Sequence, residues 1–190
     1  MKVLAINGSP RKKGNTQILM EAAAEELRKA GAEVEMISIA DFDIRPCTGC
    51  RRCYQKLWDC PIADDAIKVL KKVAYSDGIL VGSPVFFGGV TAQLKALFDR
   101  SIMPYQALDF SDKVGGAITV GGSSHGGQEL AALQIMSFFM CHNMVIATTK
   151  GEVLGGMATA NDLGDAKKDE NGIENAKSLA QRMAKLIGKR

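Results

Sequence analysis

A short apolar run at residues 2–7, closed by Gly8, has the pattern of a strand buried on both faces of a sheet. Over residues 16–30 the period changes. Ile18, Leu19, Ala22, Ala23, Leu27 and Ala30 recur at helical spacing, and Gly31 supplies a stop. Residues 33–39 alternate apolar and polar side chains and read as a second strand. Asp64 is placed to cap a helix reaching about residue 75, with Ile67, Leu70, Val73 and Ala74 on one face. Residues 78–82 predict a third strand, and Thr91 caps a helix that runs through Arg100. A fourth strand is expected at 114–120, a helix at about 126–140, and a fifth strand near 144–148. A loop rich in Gly, Asn and Asp then occupies about 151–171, before a final helix ending near Lys185.

Strands that alternate with helices imply a doubly wound parallel sheet. Five strands in this length fit an α/β fold of flavodoxin-like order 2-1-3-4-5, with a cysteine-rich loop at about 45–62 after strand two. In such a sheet a ligand sits beyond the carboxyl ends of the strands, near the point where the strand order reverses. The loops after strands one, three and four are therefore the places to look. At 190 residues the chain is read as one domain, 1–190.

Composition narrows the classes. Hydrophobic residues make up 46% and charged residues 24%, as in an ordinary globular domain. The net charge of +3 is small, and its short basic clusters, Arg11-Lys12-Lys13 and Arg51-Arg52, form no nucleic-acid stripe. The longest apolar region, about 131–147, is interrupted by Gln134, Ser137, His142 and Asn143, so no membrane span is expected. The first residues pass directly into a strand with no apolar leader, which predicts a cytoplasmic, reducing location.

Four of the five cysteines follow the run Cys47-x2-Cys50-x2-Cys53-x6-Cys60, with Pro61 next. Cysteines three apart leave little room for two unstrained disulfides. Structural zinc sites usually pair two Cys-x2-Cys knuckles across a longer spacer. An iron–sulfur cubane takes four thiolates, and its bacterial-type run is Cys-x2-Cys-x2-Cys with a Cys-Pro step. A [4Fe–4S] cluster held by Cys47, Cys50, Cys53 and Cys60 is the first reading; zinc and redox thiols remain as alternatives. Cys141 stands alone in an apolar stretch and reads as an inert core residue.

Strand one leads into Asn7-Gly8-Ser9-Pro10-Arg11-Lys12-Lys13-Gly14-Asn15-Thr16 and then a helix. Ser9, Asn15 and Thr16 offer side-chain donors, Gly14 permits a tight wrap, Arg11 adds charge, and a helix N-terminus attracts anions. This suits one phosphate. It is neither a Walker A loop nor Gly-x-Gly-x-x-Gly. After strand three, Pro84-Val85-Phe86-Phe87-Gly88 offers apolar surface to a planar ring, unless the two aromatics simply pack in the core. After strand four, Gly121-Gly122-Ser123-Ser124-His125-Gly126-Gly127 opens another helix N-terminus. There His125 is either a neighbour of a ring carbonyl or plain polar surface; His142 is a weaker candidate still. A phosphate cradle, an aromatic clamp and a glycine-rich rim together match the shape of FMN.

With these motifs the chain resembles the iron–sulfur flavoprotein family, a flavodoxin-like branch of the NAD(P)H-dependent FMN reductases. The resemblance extends to Ala92-Gln93-Leu94-Lys95, Asp99-Arg100 and Gly126-Gly127-Gln128-Glu129. It implies FMN and a [4Fe–4S] cluster, electrons drawn from a ferredoxin-like donor, and a homodimer or dimer of dimers in which cluster and flavin of different subunits lie close. Phe86 stands where tyrosine is more usual in the family. Arg51 and Arg52, between cluster ligands, are expected to raise the cluster potential, to steer an acidic donor, or merely to be solvated. The expected function is electron transfer from the cluster through FMN to a small-molecule acceptor. Three alternatives stay open: a NAD(P)H-dependent FMN or quinone reductase with a structural cysteine loop, a non-enzymatic flavin or redox sensor, and a zinc-stapled binding module.

Overall fold

A computed structural model describes residues 1–105, 107, 109–150 and 154–189. Its strands are β1 (Lys2–Asn7), β2 (Glu33–Ser38), β3 (Gly78–Pro84), β4 (Val114–Gly121), β5 (Val145–Ala147) and β6 (Gly156–Thr159). The helices are α1 (Asn15–Lys29), α2 (Arg52–Gln55), α3 (Ala66–Ala74), α4 (Ala92–Arg100), α5 (Ile102–Tyr105), α6 (Gln128–Cys141) and α7 (Glu170–Ile187). All strand pairings are parallel in the order β2-β1-β3-β4-β5, the flavodoxin-like order expected.

Period-two alternation divides the central strands between two cores. Leu4 and Ile6 of β1, with Ile79 and Val81 of β3, join the cluster under α3, α4 and α6. Val3, Ala5 and Leu80 face the other way, onto Leu19, Ala23 and Leu27 of α1 and Leu179, Ala180 and Met183 of α7. Close approach sets one glycine here: a Cβ on Gly82 would lie 2.3 Å from Met20 Sδ. Among the described residues no helix is long and apolar enough to cross a membrane.

Three sequence expectations change. The fifth strand is split: β5 pairs with Val114–Gly116, and β6 pairs with Ile118–Gly121 further along the same β4. The predicted loop at 151–171 thus contains a strand, while residues 151–153 at its start lie outside the described residues. The helix after the cysteine loop begins at Ala66 with Asp65 at its boundary, although Asp64 Oδ1 still accepts the Ala66 N–H at 3.1 Å. Cys141 is exposed and not a core residue. The buried stripe of α6 runs through Ala131, Ala132, Ile135, Met136 and Phe139, and a position two residues past Phe139 points about 200° away from it.

Candidate functional site: a phosphate cradle and a cysteine cavity

The loop after β1 is shaped by its own side chains. Gly8 N–H donates to Gly82 O at 2.7 Å, joining the ends of β1 and β3. Asn7 Oδ1 accepts the Ser9 N–H at 3.0 Å, and Ser9 Oγ accepts the Arg11 N–H at 3.1 Å. Gly14 then closes the wrap on Arg11 O at 3.1 Å. Helix α1 starts here with an extended Gly14, no side-chain cap and no acidic residue in its first turn. Its leading N–H groups and dipole are therefore left for an anion. Asn15 is engaged elsewhere. Its Nδ2 donates to Asp162 O at 2.8 Å, and its Oδ1 accepts the N–H groups of Gly164 and Ala166.

The β3 loop turns sharply. Phe86 and Gly89 exchange backbone bonds of 2.9 and 3.1 Å, and the residues between them, Phe87 and Gly88, have φ of +48° and +76°. Positive φ at both central positions is a type I′ pattern that glycine tolerates and phenylalanine does not favour. The turn pushes Phe87 fully into solvent and leaves Phe86 48% exposed, so neither is a core aromatic. Thr91, buried at the start of α4, accepts the Leu94 N–H and donates its own hydroxyl to Gly8 O at 2.7 Å. One side chain thereby fastens α4 to the phosphate loop.

A cleft of about 250 Å³ collects Ser9, Arg11, Gly14, Asn15 and Thr16 with Pro84, Val85, Phe86 and Gly122. Phe87, Gly88, Gly121 and His125 are not part of its lining. His125 is exposed, 3.1 Å from Ser124 Oγ through Nδ1. Ala160 and Asn161, directly after β6, line the cleft and were missed by sequence reasoning. Only the extra strand brings them there, and a four-residue edge segment inside a polar loop carries no periodic signal. His142 lies elsewhere, buried against Ser101 Oγ at 2.7 Å.

Cys47, Cys50, Cys53 and Cys60 all line a second, larger cavity of about 510 Å³, together with Asp99, Arg100 and Met103. Cys47 and Cys50 are exposed, Cys53 and Cys60 are half-buried, and all four are free thiols. Burial pushes the Cys53 thiol up, and repulsion from Cys47, Cys50 and Cys60 adds to that. The four groups therefore share one electrostatic neighbourhood. Among the described residues no three His, Cys, Asp or Glu side chains converge as a ready-made metal site.

The surrounding fold tethers this loop. Within the loop Arg52 pairs with Asp59 at 2.8 Å, and Trp58 Nε1 ties it to the rest of the chain by donating to Asp109 Oδ2 at 3.1 Å. Beneath the cavity Arg100, 1% exposed, grips the carboxylate of Asp64 with two bonds of 2.6 and 3.0 Å. It also reaches Arg45 O at 2.9 Å and Cys60 Sγ at 3.3 Å. Burial alone would raise the Asp64 carboxyl, but bonds from Arg100, Arg45 and Ala66 outweigh it and hold that group below the usual range. Arg100 Nε is buried and has no partner among the described residues. An unpaired charged donor on a cavity-lining side chain, beside four thiols, suits an anionic sulfur-rich occupant.

Comparison with known proteins adds a family context. The family described as NADPH-dependent FMN reductase matches residues 1–159. The chain is 43% identical over 189 residues to an iron-sulfur flavoprotein of Methanocaldococcus jannaschii, a match covering 98% of this chain and 97% of the relative. It is 37% identical over 194 residues to an iron-sulfur flavoprotein of Archaeoglobus fulgidus, with 98% and 95% covered. Among solved structures, a flavodoxin, WrbA-like protein from Agrobacterium tumefaciens is similar with a TM-score of 0.68 at 20% identity, covering 99% of this chain and 97% of that one. RosB with a bound 8-demethyl-8-formylriboflavin-5'-phosphate intermediate gives a TM-score of 0.79 at 16% identity, covering 100% and 79%. At these identities the structural likenesses speak to the fold.

Proposed function

The chain belongs to the iron–sulfur flavoprotein branch of the NADPH-dependent FMN reductase family, and from that premise we propose that it is an electron-transfer flavoprotein carrying FMN and a [4Fe–4S] cluster. The observation that carries this reading is the cysteine cavity: all four thiols of the run border one space, over an unpaired buried guanidinium nitrogen. A reductase with no cluster has no need of that arrangement. Bound together, a cluster that passes single electrons and a flavin that passes one or two would couple a one-electron donor to a two-electron acceptor.

The chain's own contribution is binding and electrostatics. The α1 N-terminus, the Ser9–Gly14 wrap and Arg11 would hold the FMN phosphate. Pro84, Val85 and Phe86 would supply the apolar wall for the ring, with Gly122 opposite and Asn161 as a polar neighbour. Cys47, Cys50, Cys53 and Cys60 would ligate the cluster. Cys47 Sγ already accepts the Gly49 N–H at 3.4 Å. Arg51 remains on the cavity rim to face an acidic, ferredoxin-like donor, whereas Arg52 is held by Asp59.

Anaerobic purification followed by iron, sulfide and flavin analysis tests the assignment. About four irons and one FMN per chain are expected, and zinc without iron would sink it. The reductase alternative makes a different forecast: turnover with NAD(P)H would survive replacement of all four cysteines. Neutralising Arg51 should slow reduction by ferredoxin, and an unchanged rate would count against steering.

A further inference from the structure

Arg100 is hard to account for as a stability device. It is 1% exposed, its Asp64 partner is 0% exposed at the side chain, and a buried ion pair averages no better than an apolar pair of the same volume. Arg100 nevertheless joins three separated parts of the cysteine segment, at Arg45 O, Cys60 Sγ and Asp64. It sits on the last turn of α4, whose first turn is fastened to the phosphate loop through Thr91 and Gly8. A nine-residue helix spans about 13 Å. One short rigid element thus begins at the phosphate cradle and ends on a candidate cluster ligand.

We infer that Arg100 is a positioning residue that fixes the Cys60 sulfur and sets the redox potential of whatever iron–sulfur group that sulfur ligates. The inference rests on the cluster assignment above. Asp64 clamps the guanidinium through both Nη1 and Nη2, which aims the second N–H of Nη2 at Sγ. A charge-assisted N–H···S bond stabilises the more negative, reduced state and so raises the potential. Asp64 offsets part of that charge, so the pair delivers a directed donor without a large net field. Lysine could still meet the Asp64 carboxylate, but it lacks the planar fork needed to reach Cys60 at the same time.

The test uses anaerobic protein containing its iron and FMN, as wild type, Arg100→Lys, and the double variant Asp64→Asn/Arg100→Gln, which removes both buried charges together. Iron and FMN contents are counted, and cluster and flavin midpoint potentials are read by redox titration. Both variants are expected to retain FMN at its wild-type potential. The cluster potential should fall by about 59 mV, a tenfold change in a one-electron equilibrium. Loss of iron with FMN retained would also support positioning of Cys60. If the double variant does not fold, Arg100→Lys carries the same test. A cluster potential equal to wild type in the folded variants overturns the inference and leaves the cluster reading intact. A wild-type protein that takes up no iron overturns both.

Discussion

His142 shows how far one buried ring departs from its value in water. It is 6% exposed, takes a 2.7 Å hydrogen bond with Ser101 Oγ, and packs against Phe110, Phe138 and Tyr105. Burial pushes its pKa down to about 4. The unfolded chain binds that proton near pH 6.5, so the native state is disfavoured as pH falls from about 6.5 toward 4. Stability from this group is complete above about pH 6.5 and should be about 2 kcal/mol lower at pH 5 than at pH 7. Urea titrations at the two pH values measure it. His142→Gln, which keeps a partner for Ser101, should flatten that difference; a slope unchanged in the variant would place its origin elsewhere. Phe87 poses the opposite case, a fully exposed aromatic at φ +48°. Because it buries nothing, Phe87→Ala should alter the stability of flavin-free protein by less than about 0.5 kcal/mol. If its ring covers bound FMN, the same substitution should weaken FMN binding by roughly three- to tenfold in a fluorescence titration. Equal affinity would remove Phe87 from the flavin site.

Helix α4 carries the corresponding argument one level up. Thr91 caps it and holds Gly8 O, so Thr91→Ala should cost about 1–2 kcal/mol in chemical denaturation and weaken FMN binding as well. Thr91→Ser keeps the hydroxyl and should recover most of both losses. Recovery of stability without recovery of binding would separate the cap from the phosphate loop. The Thr91 cap was legible because its signal is local: a hydroxyl ahead of a helical stripe. Elements defined by distant partners were not legible. Gly156–Thr159 becomes β6 only because the edge of β4 beyond Gly116 lacks a neighbour, and nothing in those four residues announces it. Apolarity misled at α6, where Leu130, Leu133, Met140 and Cys141 are exposed although the helix is hydrophobic on most sides. That Ser9, Arg11, Gly14, Asn15 and Thr16 share one cleft was readable in the sequence, yet the use of Asn15 on the 162–166 turn follows from a contact across nearly the whole chain.

Over the whole molecule, the two candidate cofactor regions depend on the fold to different degrees. The candidate phosphate loop is built from the ends of β1 and β3 and the start of α1, elements shared with the two cores. The cysteine segment lies outside them, apart from contacts by Phe42, Ile44, Cys53, Trp58 and Cys60. The spacing of its four cysteines was visible in the sequence because thiols that line one cavity from a single loop lie close in the chain. Its attachment was not, since Arg100–Asp64 and Trp58–Asp109 connect residues 36 and 51 positions apart. If the proposed cluster is bound, removing its iron should therefore differ from removing zinc from a zinc finger, where the ligand is the fold. Iron chelation under anaerobic conditions should leave FMN bound and the main thermal transition unchanged within a few degrees. The stretch between Arg45 and Cys60, both held by Arg100, should open locally, because few buried contacts hold it. Brief proteolysis of iron-free protein is expected to cut between Cys47 and Asp59 and spare the flanking sheet. Loss of FMN together with the cluster, or global unfolding at the same step, would show that the cysteine loop supports the flavodoxin-like core and does not merely ride on it.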